Sequence, residues 1–373
     1  MKFLFTCGGT AGHINPAIGV AGRLKKLLPD SEILFIGADG MMETELVPRE
    51  GYPIRTVEIS NLSRSISLDG LRHNLRTAKS VVRSTREAKE IIRSFAPDVA
   101  VGTGGYVCYP VIAAAHSLGI PTLLHESNAV PGLTTKLLSR SVDCIMVGFE
   151  NAAENYPAGT NVVFTGTPVR DGFETFDRAD ARRRLGIPAD KPLLLSVWGS
   201  LGSEHMNGVM ALFAPLAAER EDFLLIHSAG KRGYGALMDA LRPHAPESLA
   251  AKGVDVRDYI YDMPLVMAAA DLIMCRSGAS TLGELTAMGK PALLIPSPNV
   301  TNHHQEKNAR LLADAGAAEM LLEGSFDTET LYQKALSLLQ DREKLAAMGE
   351  NMKRCGVPDA TARITEQILG YVK

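Results

Sequence analysis

Residues 1–16 of the chain read MKFLFTCGGTAGHINP. The apolar run Phe3–Phe5 predicts a buried strand, and a glycine-rich turn follows it directly. Asn15 is a suitable N-cap and Pro16 suits the first position of a helix, so we predict that a helix begins there. Glycine lets a ligand approach the backbone closely, and a helix N-terminus offers N–H groups to an anion. The segment therefore predicts a strand–turn–helix unit that binds an anionic ligand.

This alternation of strand and helix continues along the chain. Short continuous apolar runs are typical of parallel strands that are covered on both faces, and segments of helical period separate them. The runs are Phe3–Phe5, Ile33–Ile36, Val99–Val101, Thr122–Leu124, Cys144–Val147, Leu193–Val197, Phe223–Ile226, Leu272–Met274 and Ala292–Ile295. About six strand–helix units precede residue 165 and about six follow residue 190, which predicts an α/β protein with two doubly wound parallel-sheet domains.

Length and composition agree with that organisation. The 373 residues suit two domains at about 150 residues each, and the segment 165–172, TGTPVRDG, is the best linker candidate. Apolar residues make up 46% and charged residues 22%, as in soluble globular proteins. No apolar run is long enough for a membrane span, and we expect no secretory signal. Five scattered cysteines without a C-x-x-C pair predict neither a disulfide framework nor a zinc site, which fits a reducing cytosol.

Charge is unevenly distributed. The net charge of −3 predicts no general affinity for nucleic acid, yet the segment from Arg64 to Arg86 carries a local balance of +5. Its cations alternate with apolar residues such as Leu71 and Leu75. An apolar strip edged with cations suits an anionic membrane surface, and the alternative is an ordinary amphipathic helix with a solvated basic face.

Three glycine turns follow predicted strands and precede predicted helices. They are CGGTAGH at 7–13, VGTGGY at 101–106 and WGSLGS at 198–203, and together they predict phosphate or sugar binding. The first turn does not fit a dinucleotide fingerprint, nor does the second, where Val107 stands in place of the third glycine, and no G-K-[ST] loop occurs. There is no Asp-x-Asp pair to hold a metal–nucleotide. We therefore expect no metal or cofactor, and a leaving diphosphate would be stabilised by helix dipoles, hydroxyls and basic side chains.

The second half carries a denser polar cluster. Arg276–Thr281 follows a predicted strand, and Glu284 lies one to two turns into the next helix. A carboxylate there can accept hydrogen bonds from both hydroxyls of a ribose, although the helix dipole alone also favours an acid near this position. The loop 296–308 also follows a strand, where ligands of open α/β sheets bind. Its His303-His304 pair lacks a third ligand at suitable spacing, so we predict no metal there.

Several of these motifs occur in the order typical of one family. They are GGTxGH at 8–13, GGY at 104–106, HExN at 125–128, GxPVR at 166–170, GSxG at 199–202, RSGA at 276–279 and Glu284. They span nearly the whole chain, which resembles the MurG family, the bacterial N-acetylglucosamine transferases of peptidoglycan synthesis in glycosyltransferase family 28. Trp198 and Leu201 depart from the family pattern, which usually has glycine and glutamine there, and His304 stands where some members have glutamine.

The resemblance implies a GT-B fold of two Rossmann-like domains facing across a cleft. Residues 1–169 would form the acceptor and membrane-facing domain, with the final helix, 358–373, packing back on it, and 170–357 would bind the donor. It implies inverting transfer from UDP-N-acetylglucosamine to the 4-hydroxyl of undecaprenyl-pyrophosphoryl-N-acetylmuramoyl-pentapeptide. The enzyme would be peripheral on the cytoplasmic face of the inner membrane.

The resemblance also assigns residues by position. His13 would be the catalytic base. The donor would meet Thr10, Gly12, Asn128, Arg170, Ser200, Ile260, Ala279, Ser280, Thr281, Glu284, His304 and Gln305. The acceptor and phosphate loops would contain Gly8, Gly9, Gly104, Gly105, Tyr106 and Glu126.

Alternatives stay open at this point. A histidine at a helix start can simply cap or pack, and His125 and Glu126 are rival bases. The chain could also be another GT-B UDP-sugar transferase, a UDP-N-acetylglucosamine epimerase, or a nucleotide-sugar binding module without turnover.

Overall fold

The computed structural model describes residues 1–59, 68–170, 172–173, 176–300, 303–357 and 359–372, with the side chains of 68–79 left out. It divides into a first unit, Met1–Arg170 with Asp359–Lys373, and a second unit, Asp171–Pro358. Each unit is a parallel sheet with helices packed on it, so the predicted pair of doubly wound α/β domains is confirmed.

Seven strands and six α-helices form the first unit in the described part of the chain. The strands are β1 (Lys2–Thr6), β2 (Glu32–Ala38), β3 (Ile54–Val57), β4 (Val99–Gly102), β5 (Thr122–Glu126), β6 (Cys144–Val147) and β7 (Val162–Phe164). The helices are α1 (Ala11–Leu27), α2 (Glu43–Arg49), α3 (Leu68–Phe95), α4 (Cys108–Ser117), α5 (Leu133–Leu138) and, from the chain end, α15 (Ala360–Gly370). A 3₁₀ turn spans Glu150–Asn155.

The second unit repeats this plan with six described strands. They are β8 (Leu193–Val197), β9 (Leu224–Ser228), β10 (Val254–Arg257), β11 (Leu272–Cys275), β12 (Ala292–Leu294) and β13 (Ala318–Met320). The helices are α6 (Arg178–Leu185), α7 (Glu204–Arg220), α8 (Tyr234–Leu241), α9 (Pro246–Ala251), α10 (Met263–Ala269), α11 (Ala279–Met288), α12 (His304–Asp314), α13 (Thr328–Gln340) and α14 (Arg342–Cys355). A short 3₁₀ turn spans Arg242–His244.

The strand order locates one switch point in each sheet. The first sheet runs β3-β2-β1-β4-β5-β6-β7 and the second β10-β9-β8-β11-β12-β13. The order reverses between β1 and β4 in the first unit and between β8 and β11 in the second. Ligands of open α/β sheets bind beyond the carboxyl ends of the strands at such a point. All three glycine turns of the sequence lie there, since they follow β1, β4 and β8.

Apolar side chains cover both faces of the first sheet. One cluster joins Phe3, Phe5 and Phe35 to the inner side of α1, and the other joins Leu4 and Ile36 to α4. The final helix α15 belongs to the first cluster, because its Ile364 and Ile368 are fully buried there. In the second unit, one cluster packs Phe213, Phe223 and Tyr332 against the sheet. These cores hold the strand ends, and therefore the turns, in place.

The predicted start of α1 is wrong. The helix begins at Ala11 with extended Thr10 as its N-cap, and Pro16 lies inside it. The Thr10 carbonyl accepts hydrogen bonds from the N–H groups of His13 and Ile14, which closes the first turn. Buried Ile14 packs in the core cluster and secures that turn. Tertiary packing therefore outweighs the local preference for a cap next to the proline.

None of the helices in the described part of the chain combines the length and the hydrophobicity that a membrane span requires. Most of the basic segment, including Arg64, Arg72, Arg76 and Lys79, lies outside the residues and side chains that are described. Its last two arginines are in α3 and form ion pairs, Arg83 with Glu58 and Glu87, and Arg86 with Glu90.

Candidate active site

The first glycine turn holds the imidazole of His13 in one orientation. Its Nδ1 lies 3.0 Å from the carbonyl oxygen of Gly8. A carbonyl can only accept, so Nδ1 is the protonated nitrogen and, in the neutral ring, Nε2 carries the lone pair. The His13 carbonyl accepts a hydrogen bond of 2.6 Å from the Thr103 hydroxyl, which ties α1 to the turn after β4. His13 is thus presented at the switch point with Nε2 as its basic atom.

The turn after β4 closes tightly on the first turn. Gly104 and Gly105 have φ values of +116° and +91°, which favour glycine. A Cβ on Gly104 would lie 2.5 Å from Cδ2 of His13, and one on Gly105 would overlap the Gly8 carbonyl. The Gly8 N–H donates to the Gly104 carbonyl at 3.2 Å. These glycines therefore let the two turns interlock around the histidine.

Glu43, which the sequence analysis missed, lies beneath the first turn. It is fully buried at the start of α2. Its Oε2 accepts from the Gly9 N–H at 3.0 Å and its Oε1 from the Ala38 N–H at 2.9 Å. Burial, and then the charge of Glu43, raises the pKa of Tyr106 in the second turn. Glu43 directly follows Met41-Met42 and belongs to no motif, so the sequence offers no signal for this role.

Glu126 and His125, at the end of β5, are both held by hydrogen bonds. Glu126 accepts from the backbone and side-chain N–H groups of Asn128, from the Gly132 N–H and from the Thr135 hydroxyl, at distances of 2.8–3.1 Å. His125 Nε2 lies 2.9 Å from the Gly166 carbonyl, its Nδ1 lies 3.2 Å from the Ser127 hydroxyl, and burial lowers its pKa. These side chains shape the loop that carries Asn128.

Three further predicted residues of the first unit have defined places. Thr10 caps α1 through its backbone geometry without a side-chain cap hydrogen bond, and Gly12 lies in the first helical turn. Arg170 forms an ion pair with Glu50 at 3.4 Å, and its buried Nε has no hydrogen-bond partner among the described residues. Thr10 and Gly12 therefore lie beside His13 on the first glycine turn.

The glycine turn of the second unit interlocks with the turn after β9. Gly199 and Gly202 have φ values of +87° and +79°. A Cβ on Gly202 would overlap the Ala229 carbonyl, and one on Gly230 would overlap the backbone of Gly202. Ser200 lies between the two turn glycines, and the Ser203 hydroxyl caps α7 by accepting from the Met206 N–H. The turn is thereby fixed ahead of a 17-residue helix.

Arg276 contacts the 198–203 turn and stabilises it. Its guanidinium donates to the Ser203 hydroxyl at 2.8 Å and to the Ile295 carbonyl at 3.0 Å, and it forms an ion pair with Glu323. The Trp198 ring lies over it, with 5.6 Å between the guanidinium carbon and the ring centre. Trp198 is 2% exposed, and its indole N–H has no partner among the described residues. Trp198, which departs from the family pattern, therefore packs over the guanidinium of Arg276.

The turn after β11 leads into α11, which carries four of the twelve predicted donor contacts. Gly278 caps this helix without a side-chain hydrogen bond, and Ala279, Ser280 and Thr281 form its first turn. Glu284 follows in the second turn and is 8% exposed. The Ser277 hydroxyl donates to the Gln305 carbonyl at 2.7 Å, and the Gln305 side chain accepts from the Ser297 N–H at 2.9 Å. The polar loop is therefore joined to the start of α11.

The remaining predicted residues lie at two loop ends. Ile260 is buried after β10, between Tyr259 and Tyr261, whose ring centres are 4.7 Å apart. The Lys231 ammonium lies over both tyrosine rings. His304 begins α12. In the described part of the chain, no group of three or more His, Cys, Asp or Glu side chains is placed to hold a metal ion.

Comparisons with known proteins show the family of this chain. The glycosyltransferase family 28 N-terminal domain matches residues 3–147, and the family 28 C-terminal domain matches residues 194–364. The chain belongs to glycosyltransferase family 28. A relative in this family from Acetivibrio thermocellus is 42% identical over all of this chain and 99% of its own length. It is named UDP-N-acetylglucosamine–N-acetylmuramyl-(pentapeptide) pyrophosphoryl-undecaprenol N-acetylglucosamine transferase, and a relative of the same name from Listeria welshimeri is 40% identical over the full length of both chains.

Solved structures place this family 28 chain among GT-B glycosyltransferases. The structure of Acinetobacter baumannii MurG matches with a TM-score of 0.72 and 29% identity, covering 99% of both chains. A putative UDP-N-acetylglucosamine 2-epimerase from Listeria monocytogenes matches with a TM-score of 0.67 and 16% identity, covering 97% of this chain and 94% of the other. The likeness to the epimerase, at 16% identity, shows a shared fold alone.

Proposed function

We propose that this chain transfers N-acetylglucosamine from UDP-N-acetylglucosamine to the 4-hydroxyl of undecaprenyl-pyrophosphoryl-N-acetylmuramoyl-pentapeptide. Full-length relatives at 40–42% identity carry the name of this activity. The observation that carries the proposal is the His13 ring, whose Nδ1–H is held by the Gly8 carbonyl so that Nε2 can accept a proton. A base of this kind distinguishes a transferase from a module that only binds the nucleotide sugar.

The second unit would bind the donor. The backbone of Ile260 would meet uracil, and the Glu284 carboxylate would accept hydrogen bonds from the ribose hydroxyls. Ser200 and the first turn of α11, Ala279–Thr281, would lie along the diphosphate, with His304 and Gln305 near the sugar. In support, Glu284 lies on the same helix as that first turn, and Gln305 is joined to its start through Ser277.

The first unit would bind the acceptor and its phosphates through Gly8, Gly9, Gly104, Gly105 and Tyr106. Thr10, Gly12 and Asn128 would contact the transferred sugar. Glu126 orders the loop that presents Asn128, because it accepts hydrogen bonds from both N–H groups of that residue. We assign Glu126 and His125 to this ordering and not to proton transfer, since their polar atoms are already engaged.

The reaction would be a single in-line displacement. The 4-hydroxyl oxygen bonds to the anomeric carbon while the bond from that carbon to the diphosphate oxygen breaks, which inverts the configuration. His13 Nε2 takes the hydroxyl proton, and UDP leaves with the bonding electron pair. The growing negative charge would be stabilised by backbone amides of the 199–202 turn, by the helix N-termini and by Arg170. We propose that no metal ion takes part.

The acceptor lipid would require peripheral contact with the cytoplasmic face of the inner membrane. We propose that the basic segment from Arg64 to Arg86 supplies that contact with anionic lipid, and that residues 1–169 with the final helix form the acceptor domain. Residues 170–357 would form the donor domain, with Arg170 at its boundary as the last residue of the first unit before Asp171. The support is the local charge of +5 on a chain of net charge −3.

The test measures UDP release from UDP-N-acetylglucosamine with and without the lipid-linked acceptor, in EDTA. Acceptor-dependent release that EDTA leaves unchanged supports the proposal. Conversion of the sugar without acceptor would indicate an epimerase, and binding without turnover would indicate a module. Activity that a chelator abolishes and magnesium restores would overturn the metal-free step.

The variant His13→Gln is expected to lose most of kcat while its KM for the donor is unchanged.

A further inference from the structure

The side chains of His13 and Glu43 hydrogen-bond to opposite ends of the Gly8–Gly9 peptide group. On one side its carbonyl lies 3.0 Å from Nδ1 of His13. On the other side its N–H donates to Oε2 of Glu43 at 3.0 Å. These two atoms belong to the same peptide bond. A carboxylate and an imidazole are therefore joined through one planar amide whose dipole points from the histidine toward the acid.

We infer that Glu43 is a positioning residue for His13 and acts through this peptide. The inference rests on the proposed role of His13 as the base. In serine hydrolases a buried carboxylate fixes the tautomer of the catalytic histidine and stabilises the imidazolium that forms. Here the Gly8–Gly9 peptide occupies the space between the two groups. The carboxylate polarises the amide, which makes the Gly8 carbonyl a stronger acceptor for the Nδ1–H.

The surroundings favour an electrostatic effect and not only a structural one. Glu43 is fully buried, where charges interact more strongly than in water. It forms no ion pair in the described part of the chain, so no cation among those residues neutralises its charge. Among the described residues, Cys7, Tyr106 and Cys108 interact with it electrostatically; burial, with a further contribution from the charge of Glu43, raises the pKa of each, so all three stay neutral at physiological pH.

The backbone near the Glu43 carboxylate has glycine at two positions where a Cβ would collide with that side chain. A Cβ on Gly8 would lie 2.5 Å from Oε1 of Glu43, and one on Gly37 would lie 2.5 Å from its Cγ. The other oxygen bond, from the Ala38 N–H at 2.9 Å, fixes the carboxylate plane at the end of β2. Both glycines thus leave space for an acid that reaches from α2 to the turn after β1. No proton crosses the peptide: His13 keeps the Nδ1 proton throughout and accepts the substrate proton at Nε2.

Steady-state kinetics of Glu43→Gln in the full chain test the inference. We expect kcat to fall about 10- to 100-fold, as for carboxylates that orient catalytic or metal-binding histidines from the second layer, while the KM for the donor changes less than about twofold. The acid limb of the pH–kcat profile should move to lower pH, because the protonated ring loses a stabilising charge. Glu43→Asp keeps the negative charge on a shorter side chain, so its kcat should lie between those of the wild type and Glu43→Gln. Asp143→Asn is the matched control, since Asp143 also accepts from a backbone N–H, that of Thr122 at 2.7 Å, far from His13 in sequence.

Nuclear magnetic resonance on the unmutated, isotope-labelled chain gives a second test that does not depend on a variant folding. As His13 titrates, the Gly9 amide proton and the Glu43 carboxyl carbon should shift with the same midpoint as the ring. Independent behaviour of these three signals would overturn the inference. So would a Glu43→Gln enzyme with an unchanged pH profile, or one no slower than Asp143→Asn. If His13→Gln keeps full activity, the proposed base itself fails; if only the Glu43 results are negative, the base stands and the coupling fails.

Discussion

Glu284 is the residue whose replacement most directly tests the donor site. It lies in the second turn of α11 and is 8% exposed, so its carboxylate is largely withdrawn from water. Removing hydrogen bonds to a charged group costs about 1.5–3 kcal/mol, which corresponds to a rise of roughly 10- to 150-fold in donor KM or Kd for Glu284→Ala. Exposed Glu350→Ala is the control of equal charge change.

The emission of Trp198 can follow this binding, because Trp198 is the single tryptophan and lies beside the 199–202 turn. A titration with UDP-N-acetylglucosamine should change its intensity in the wild-type chain at lower ligand concentration than in Glu284→Ala. An unchanged donor affinity in that variant would remove Glu284 from the ribose site.

His227 should make the second unit sensitive to acid. Burial lowers its pKa to about 3, and its Nδ1 lies 3.1 Å from the Ser196 hydroxyl. Near pH 7 the histidine is neutral in both folded and unfolded states and contributes nothing. As the pH falls through 6.5 the unfolded chain binds a proton that the folded chain does not, so the free energy of unfolding should fall by about 2 kcal/mol between pH 7 and 5. Urea unfolding followed by Trp198 emission should show a shallower pH dependence in His227→Asn than in the exposed control His244→Asn; equal slopes would contradict this.

At the scale of a turn, Gly202 and Gly199 form a matched pair. Both have positive φ, but a Cβ on Gly202 overlaps the Ala229 carbonyl, whereas one on Gly199 meets nothing within 4 Å. Gly199→Ala should cost about 1–2 kcal/mol from backbone strain alone. Gly202→Ala should cost more and weaken donor binding, because the 199–202 turn must move away from the turn after β9. Urea midpoints measured through Trp198 compare the two; equal losses would show that the close approach adds nothing.

At the scale of a helix, α15 should stabilise the first unit. Ile364 and Ile368 are fully buried in a core cluster with Phe3 and Phe35. Truncating such a side chain costs about 2–5 kcal/mol, so Ile364→Ala should lower the midpoint of thermal unfolding measured by circular dichroism. Glu366→Ala, on the exposed side of the same helix, should change stability by less than about 0.5 kcal/mol. Equal midpoints for the two variants would mean that α15 is dispensable for the first unit.

Strands show which elements can be predicted from sequence. All nine predicted apolar runs form strands, and the four unpredicted strands, β3, β7, β10 and β13, are the four sheet edges. Edge strands are buried on fewer sides, so polar residues interrupt them, as in IRTV at 54–57 and VDVR at 254–257. Continuous apolar runs therefore mark central strands, and the exception is the edge strand β7, VVF at 162–164, which is apolar but only three residues long and was missed.

At the scale of the whole molecule, the basic segment should make membrane binding depend on lipid charge. Each basic residue near an anionic surface contributes about 1 kcal/mol, so Arg72→Gln with Arg76→Gln should weaken binding to anionic vesicles about 30-fold. The control, Arg23→Gln with Arg93→Gln, removes the same charge from exposed positions outside the segment. Sedimentation at low and high salt provides the measurement, and wild-type binding should weaken as salt screens the charges. Equal binding to neutral and anionic vesicles, or equal effects of the two double variants, would refute the electrostatic contact.

The sequence by itself determined the two doubly wound sheets, the three glycine turns and the family, because burial periodicity and glycine spacing are local properties that survive in the linear chain. Only the tertiary structure decided the start of α1 at Ala11, the locked hydrogen bonds of His125 and Glu126, and the meeting of Glu43 with the Gly8–Gly9 peptide. Glu43 is 30 residues from His13 along the chain, and the two come together only because parallel strands β1 and β2 end side by side. Such contacts between distant segments depend on strand order and side-chain packing, which no local pattern of residues records.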